Sequence, residues 1–246
     1  MRLRFRFVKT GKVRWTSHRD VARMWERAFR RVQLPLAYSQ GFSPRPKVSF
    51  GLALPTGAES LAEYLDVELA AGTEIDADAL PDRLSAALPA GVDVTAAGVL
   101  DAGAASLQSE VTSCCWSVTV TGLAPAALVE RVAAATAAAS LVVSRERKGV
   151  RADEDIRPGI IGLRLVEPGT GLAPGPAGAA PTLACELATM PRALRPSELL
   201  LAMGVEPAAA GVCRTSQWIE RDGARREPLA LPVGATAAPH AVERAS

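Results

Sequence analysis

Hydrophobic and charged residues alternate at the start of the chain. Residues 2–7 read Arg-Leu-Arg-Phe-Arg-Phe, and a period of two predicts a half-buried β-strand. One face of this strand carries Leu3, Phe5 and Phe7 and packs on helices. Two placements are open for the other face, which carries Arg2, Arg4 and Arg6. It is either an uncovered surface, where related RNA-binding modules receive nucleic acid, or it packs on a second domain whose acidic residues neutralise the arginines.

The period changes to that of a helix after Ser17. On a wheel of 100° per residue, the apolar residues from Val21 to Val32 occupy one side. Ser17 stands three residues before Asp20, an acidic variant of the capping box that predicts a helix start, and Pro35 stops further helix. The opposite side of the predicted helix is an almost pure arginine face, formed by Arg19, Arg23, Arg27, Arg30 and Arg31.

The remainder of the first half completes one module. Two prolines and a glycine within residues 41–47 predict a stiff loop that presents Arg45 and Lys47. Predicted strands follow at 48–54 and 63–69, then a helix at 76–88 and a strand at 92–100. The resulting order, β-α-β-β-α-β, is the ferredoxin-like arrangement.

The second half repeats this order with one additional strand. We predict strands at 111–121, 141–145, 156–166, 183–188 and 212–220, helices at 125–139 and 195–203, and a charged loop at 147–155. The predicted fold class is therefore α+β, with two ferredoxin-like (βαββαβ-type) domains in tandem. The predicted boundaries are a basic N-terminal domain at 1–103 and a C-terminal domain at 108–228. The Pro/Gly/Ala-rich segment 167–180 is predicted to be a disordered insertion and residues 229–246 a disordered tail.

Charge is distributed very unevenly along the chain. The first fifty residues contain thirteen Lys or Arg and two acidic residues, a net charge of +11, whereas residues 51–246 carry −9. A concentration of positive charge favours binding to a polyanion, because each neutralised phosphate releases counterions. The alternative is a solvated basic surface without a partner, although ordinary surfaces intersperse the two signs.

Composition excludes several kinds of site and location. No apolar run approaches the roughly 18 residues of a membrane span, and the charged N-terminal residues do not form a signal peptide, so we predict a cytoplasmic protein. The cysteines have no metal-ligand spacing and are expected to be reduced thiols. The chain also lacks CxxxCxxC, HExxH and phosphate-binding glycine motifs. We therefore predict that this chain binds no metal and no cofactor. The four cysteines discussed above are Cys114, Cys115, Cys185 and Cys213.

His18 is the main candidate for chemistry. At a helix N-terminus beside arginines, its imidazole could move a proton, or it could pack near the cap. No second histidine or nucleophile stands near it in the sequence, so the catalytic candidates are limited to His18 and Asp20. The candidate RNA-binding residues are Arg14, Ser17, His18, Arg19, Arg23, Arg27, Arg30, Arg31, Arg45 and Lys47.

Several strings resemble one protein family. Residues 7–20 read F-x-K-x-G-x-x-R-W-x-S-H-x-D and residues 39–50 read S-x-G-F-S-P-x-P-K-x-S-F, followed by L-P-x-G at 54–57 and E-Y-x-D at 63–66. Together they closely resemble the radical-SAM-linked proteins of uncharacterised function, here in the stand-alone form. The resemblance implies a separate radical SAM partner that carries an iron–sulfur cluster and S-adenosylmethionine, and a setting near RNA metabolism. It implies no known reaction.

Three functional hypotheses follow. The leading one is an RNA-binding accessory protein that presents tRNA or rRNA to the radical SAM enzyme and is itself not catalytic; no membrane association and no DNA preference are predicted. The second is a metal-independent RNA-processing enzyme that uses His18, by analogy of fold alone. The third is a protein-interaction subunit of a radical SAM complex.

Overall fold

The computed structural model describes residues 1–147, 149–166 and 180–229. The protein is a mixed α+β protein that divides into two compact units. Unit 1 contains Met1–Val111 together with residues 219–229, and unit 2 is Thr112–Trp218. Unit 2 is therefore shorter than the predicted C-terminal domain, 108–228, because residues 108–111 and 219–228 belong to unit 1. The predicted insertion at 167–180 and tail at 229–246 lie outside the described residues, apart from one residue of each.

The sheet of unit 1 is built around its first strand. Strand β1 (Arg2–Lys9) lies between β3 (Glu59–Glu68) and β4 (Val92–Leu100) and is antiparallel to both. Strand β2 (Val48–Phe50) pairs with the other edge of β3. The helices of this unit are α1 (His18–Arg31), α2 (Leu80–Ala87) and the single turn α3 (Leu107–Glu110), and a short strand β11 (Ala224–Arg226) pairs with the end of β10 (Ala210–Arg221).

Two predicted elements of unit 1 are shorter in the structure, and a 3₁₀ helix, Gly11–Trp15, lies between β1 and α1. The predicted strand 48–54 ends at Phe50, and the residues after it line a cavity instead. The predicted helix 76–88 begins at Leu80, with Pro81 in its first turn, a position that proline favours.

The core of unit 1 forms between β1 and α1, as the two apolar periodicities predict. Phe5 and Phe7 of β1 and Trp25 and Phe29 of α1 are almost completely buried. The ring centroids of Phe7 and Trp25 lie 5.0 Å apart in an edge-to-face arrangement, which stabilises the contact beyond the area that it buries.

The arginine face of β1 is not the uncovered surface that one of the two placements expected. Arg4 and Arg6 retain only 1% and 2% of their exposure. The Arg4 guanidinium forms two parallel bonds to the Asp66 carboxylate, Nε to Oδ1 at 2.7 Å and Nη2 to Oδ2 at 3.0 Å, and Arg2 Nη2 donates to Asp66 Oδ2 at 2.9 Å. Arg6 Nε donates to the Tyr64 hydroxyl at 3.2 Å.

The acidic residues that neutralise these arginines belong to unit 1, and not to a second domain. Asp66 stands directly opposite Arg4 on β3. Glu110 lies 3.8 Å from Arg4, and Glu227 lies 3.6 Å from Arg6. Burial of a guanidinium requires such partners, and they come from three separate parts of the chain.

Neighbouring strands of unit 2 pair in the antiparallel direction. Strand β5 (Ser113–Val120) pairs with β9 (Thr182–Ala188) and β10, and β8 (Ile160–Val166) pairs with β9. Two helices accompany these strands, α4 (Pro125–Ala137) and α5 (Pro196–Ala202).

A separate hairpin occupies the position of the predicted charged loop in unit 2. Strands β6 (Val142–Arg147) and β7 (Val150–Asp155) pair with each other, so the loop predicted at 147–155 is wrong. Arg145 and Glu154 form an ion pair of 3.2 Å across the hairpin, and Glu154 is also held by Arg192 at 2.8 Å. These bonds, first that from Arg192, lower the pKa of Glu154. The cross-strand ion pair contributes to this hairpin, and a search for apolar alternation does not detect it.

None of the described helices combines the length and hydrophobicity that crossing a membrane would require.

The buried ion pairs give the first prediction. We expect Asp66→Ala to lower the free energy of unfolding by about 3–5 kcal/mol, because it leaves the buried charge of Arg4 without its main partner. Asp78→Ala is the matched control; Asp78 is exposed, so its loss should change stability by less than about 0.5 kcal/mol. Urea unfolding measures both. Equal stabilities of the two variants would contradict a structural role for the Asp66 carboxylate.

Candidate functional site

The arginine face of α1 is exposed along its whole length. Arg19, Arg23, Arg27, Arg30 and Arg31 all lie in solvent, on the side opposite Trp25 and Phe29. Two of the five also reach other groups of the protein: Arg23 lies 3.6 Å from the Asp20 carboxylate, and Arg31 Nη1 donates to the Ala87 carbonyl at 3.1 Å. In the part of the chain that the structure describes, Arg19, Arg27 and Arg30 form no ion pair.

The Ser17 side chain caps the N-terminus of α1. Its Oγ accepts a hydrogen bond from the Asp20 backbone N–H at 3.2 Å and donates one to Asp20 Oδ2 at 2.7 Å. The predicted capping box differs in its second bond, because the carboxylate accepts from the hydroxyl and not from the Ser17 backbone. Since Asp20 also pairs with Arg23, its carboxylate is already engaged at the helix start, which argues against a role as a general base.

His18 is exposed, and its ring lies edge-on against Phe50, with 5.0 Å between the ring centroids. It borders a cavity of about 30 Å³ that Lys9, Glu63 and Tyr64 also line. Among the described residues, no hydrogen bond joins His18 to a carboxylate or a nucleophile. The cavity is large enough for a water molecule and too small for a nucleotide.

Lys9 is a buried cation beside this cavity, a position that no local sequence pattern predicts. Its Nζ donates to the carbonyls of Arg14 and Thr16, each at 3.3 Å, and so holds the 3₁₀ helix to β1. Burial lowers the pKa of Lys9, and the nearby charge of Glu63 partly opposes that change. Burial also raises the pKa of Tyr64, so the phenol is neutral. Lys9 therefore has a structural role at the base of the cavity.

Backbone hydrogen bonds hold the loop that carries Arg45 and Lys47. The Ser39 N–H donates to the Arg45 carbonyl at 2.8 Å, the Arg45 N–H donates to Ser39 Oγ at 3.0 Å, and the Lys47 N–H donates to the Ala37 carbonyl at 2.9 Å. We call residues 39–47 the basic loop. Arg45 is exposed, whereas Lys47 Nζ forms an exposed ion pair of 2.9 Å with Glu68, which contributes little energy and leaves the ammonium accessible.

A groove brings the basic loop and α1 together. It encloses about 230 Å³ and is lined by Glu26 and Phe29 on the helix side and by Arg45, Pro46 and Phe50 on the other, with Ala22, Trp25 and Val48 completing it. The groove brings Arg45 beside α1, but among the described residues that line it the helix contributes its side opposite the arginine face and none of the five arginines. Arg14 is used differently: it is half-buried, pairs with Glu59 at 3.2 Å and stacks over the Trp15 ring.

Exposed aromatic residues are the feature that sequence reasoning missed. Trp15 keeps 64% of its exposure, Tyr38 keeps 52%, and Phe42 is fully exposed. An available signal was the position of Phe42, directly after Gly41 and two residues before Pro44 in a short loop.

The described residues contain no group of three or more His, Cys, Asp or Glu side chains placed to hold a metal ion. The four cysteines are free thiols. Burial raises the pKa of Cys185 to about 12, so its thiol stays protonated at neutral pH.

Comparison with known families finds a match over most of the chain. Residues 2–196 match the family described as an uncharacterized protein conserved in bacteria (DUF2344). The chain belongs to this family. The DUF2344 match includes the whole of β1, α1 and the basic loop, and it extends through unit 2 to the first residue of α5. A search of the curated proteins found no match.

The cap at Ser17 gives the second prediction. We expect Ser17→Ala to lower the free energy of unfolding by about 1 kcal/mol, because the Asp20 N–H loses its acceptor. Ser109→Ala is a control in the same unit, since its hydroxyl is exposed and bonds only to Ser106 at the start of the short turn α3. Thermal unfolding compares the two. If Ser17→Ala is as stable as the wild type, the hydroxyl does not hold the helix start.

Proposed function

We propose that this DUF2344 protein binds RNA through the arginine face of α1 and the adjoining basic loop. The observation that supports this most directly is the exposure of all five arginines on one side of α1. The opposite side of the same helix supplies the core contacts, so the core does not require these cations. Exposed guanidinium groups in a row favour contacts with a phosphate backbone.

The distribution of charge within unit 1 also favours a polyanion. Arg4 and Arg6 are paired with carboxylates in the interior. The outward cations of α1 are accompanied on that helix by only two acidic residues, Asp20 and Glu26. Binding of this kind depends on counterion release and is independent of base sequence.

We further propose that both units are ferredoxin-like. In unit 1 the strand neighbours run β4-β1-β3-β2, and in unit 2 they run β10-β5-β9-β8. In each unit a helix follows the first strand and another precedes the last. The hairpin β6–β7 is then an addition to the second unit.

The partner in this proposal is a separately encoded radical SAM enzyme, to which the protein presents tRNA or rRNA in the cytoplasm. The support for this partner is the resemblance of residues 7–20 and 39–50 to radical-SAM-linked proteins. The partner would carry the iron–sulfur cluster and S-adenosylmethionine. This chain would supply the RNA-binding surface and no catalytic group.

The third prediction tests the arginine face. We expect RNA affinity to fall with salt with a log–log slope of magnitude roughly 3–6, corresponding to four to seven phosphate contacts. Changing Arg23, Arg27 and Arg30 together to Gln should weaken binding to unrelated RNAs about uniformly. It should also reduce the slope by about 1 for each phosphate that is no longer neutralised. Fluorescence anisotropy over a salt series measures both quantities.

The matched control removes the same charge elsewhere. Arg151, Arg164 and Arg221 are exposed and lie outside α1 and the basic loop, so their joint change to Gln should leave the slope close to that of the wild type. Absence of RNA binding by the wild type at low salt would reject the RNA-binding proposal and favour a protein-interaction subunit. If the two triple variants lose the same affinity, RNA binding depends on the net charge of the protein and not on the arginine face of α1.

A second candidate function is RNA processing by His18. The observation that favours it is the exposed imidazole at the edge of the cavity lined by Lys9 and Glu63, next to the arginine face. The structure gives His18 no hydrogen-bonded carboxylate among the described residues, so we expect His18 to contact bound RNA without performing chemistry.

The fourth prediction separates these roles of His18. We expect His18→Gln to reduce RNA affinity and the product yield of the reconstituted radical SAM pair together, with an unfolding free energy within about 1 kcal/mol of the wild type. Asp20→Asn is the companion variant for the helix start. Loss of yield with RNA affinity retained, or RNA cleavage by the isolated wild type that His18→Ala abolishes, would favour the catalytic role.

A further inference from the structure

Phe42 is a fully exposed aromatic ring on a loop that is otherwise well held. Burying a phenylalanine side chain is favourable by about 1.5–3 kcal/mol, and unit 1 buries Phe5, Phe7 and Phe29. Phe42 is excluded from that core by the hydrogen bonds that close the basic loop between Ser39 and Arg45. Its exposure is therefore a consequence of how the loop is built.

Trp15, another exposed aromatic residue of unit 1, has less open surroundings than Phe42. The Arg14 guanidinium lies over the Trp15 ring, 5.3 Å from its centroid. The Gly57 backbone is so close to this ring that a Cβ there would lie 2.7 Å from Trp15 Cζ3, and the φ of +88° at this position also favours glycine. Trp15 is thus packed between a cation and a backbone, whereas no ring contact is found for Phe42 among the described residues.

The basic loop that carries Phe42 also carries exposed cations. Arg45 follows three residues later and is exposed, and among the described residues it forms no ion pair. Arg45 also lines the groove whose other wall is α1, so a phosphate at Arg45 would lie at the edge of this groove. An open aromatic ring next to a cationic surface is the combination that binds unpaired nucleotides, because the ring stacks on a base and the cations hold the backbone.

We propose that Phe42 is a stacking platform for an unpaired base, and that the RNA is held here as a single strand with a phosphate on Arg45. This rests on the proposed RNA-binding function and specifies the class of RNA. A continuous duplex keeps its bases stacked inside and offers Phe42 no base face. The single-stranded loops and ends of a structured RNA provide such bases.

The experiment compares one short unstructured RNA with the duplex formed by annealing it to its complement. Both are fluorescently labelled and titrated by anisotropy at one salt concentration. We expect Phe42→Ala to weaken single-strand binding by roughly tenfold and duplex binding by less than about twofold. Phe42→Leu keeps apolar area without a π face and should resemble Phe42→Ala, whereas Phe42→Trp should bind as well as the wild type. The exposed position of Phe42 means that all three variants should keep the wild-type melting temperature.

The outcomes separate this inference from the function on which it rests. If the wild type binds neither RNA, the proposed RNA-binding function fails. If the wild type binds both RNAs and the Phe42 variants keep full affinity, or weaken by the same factor on both, the stacking role is overturned while RNA binding stands. If Phe42→Leu binds RNA like the wild type but Phe42→Ala no longer associates with the radical SAM protein, the ring is a protein contact and the inference is wrong.

Discussion

Strand β1 is buried on both faces although one face consists of arginines, and the organisation of unit 1 depends on how that is achieved. On one face, Phe5 and Phe7 pack against Trp25 of α1. On the other, the Asp66 carboxylate accepts parallel bonds from Arg4 and a third bond from Arg2. A guanidinium can be buried when its geometry matches a carboxylate and its remaining donors are satisfied. Strand β1 can therefore lie between β3 and β4 while its arginines remain charged.

This arrangement divides the large positive charge of the N-terminal segment into two populations. The arginines of β1 are neutralised inside the unit, so they contribute little to the field outside it. The arginines of α1 lie on the side of the helix that the core does not use. Two segments that look equally basic in the sequence thus have different physical roles, and the second one accounts for the outward field that attracts an anion.

The sequence predicts what local periodicity determines and misses what distant partners determine. The apolar faces of β1 and α1 and the cap at Ser17 depend on residues that are close together in the sequence, and the structure contains all three. The burial of Arg4 depends on Asp66, 62 residues away, and no local pattern encodes that contact. The strand predicted at 141–145 corresponds to β6, but β7 was missed, because charged residues such as Glu154, which pairs with Arg145, replace the apolar alternation that identifies a strand. At the site, the cations could be found by counting charge. The groove could not, since it depends on how the basic loop packs beside α1.

The two kinds of contact at the proposed site would divide affinity and selectivity between them. Phosphate contacts from α1 act on any RNA, and their contribution decreases as salt rises. Stacking on Phe42 requires an accessible base face and depends little on salt, so it distinguishes unpaired from paired nucleotides and not one sequence from another. The arginines would therefore set how strongly RNA is attracted, whereas the basic loop would select where along the RNA the protein settles. A substrate held in this way has its unpaired bases next to the protein surface and free of their partners, which is the state that an enzyme modifying a base requires.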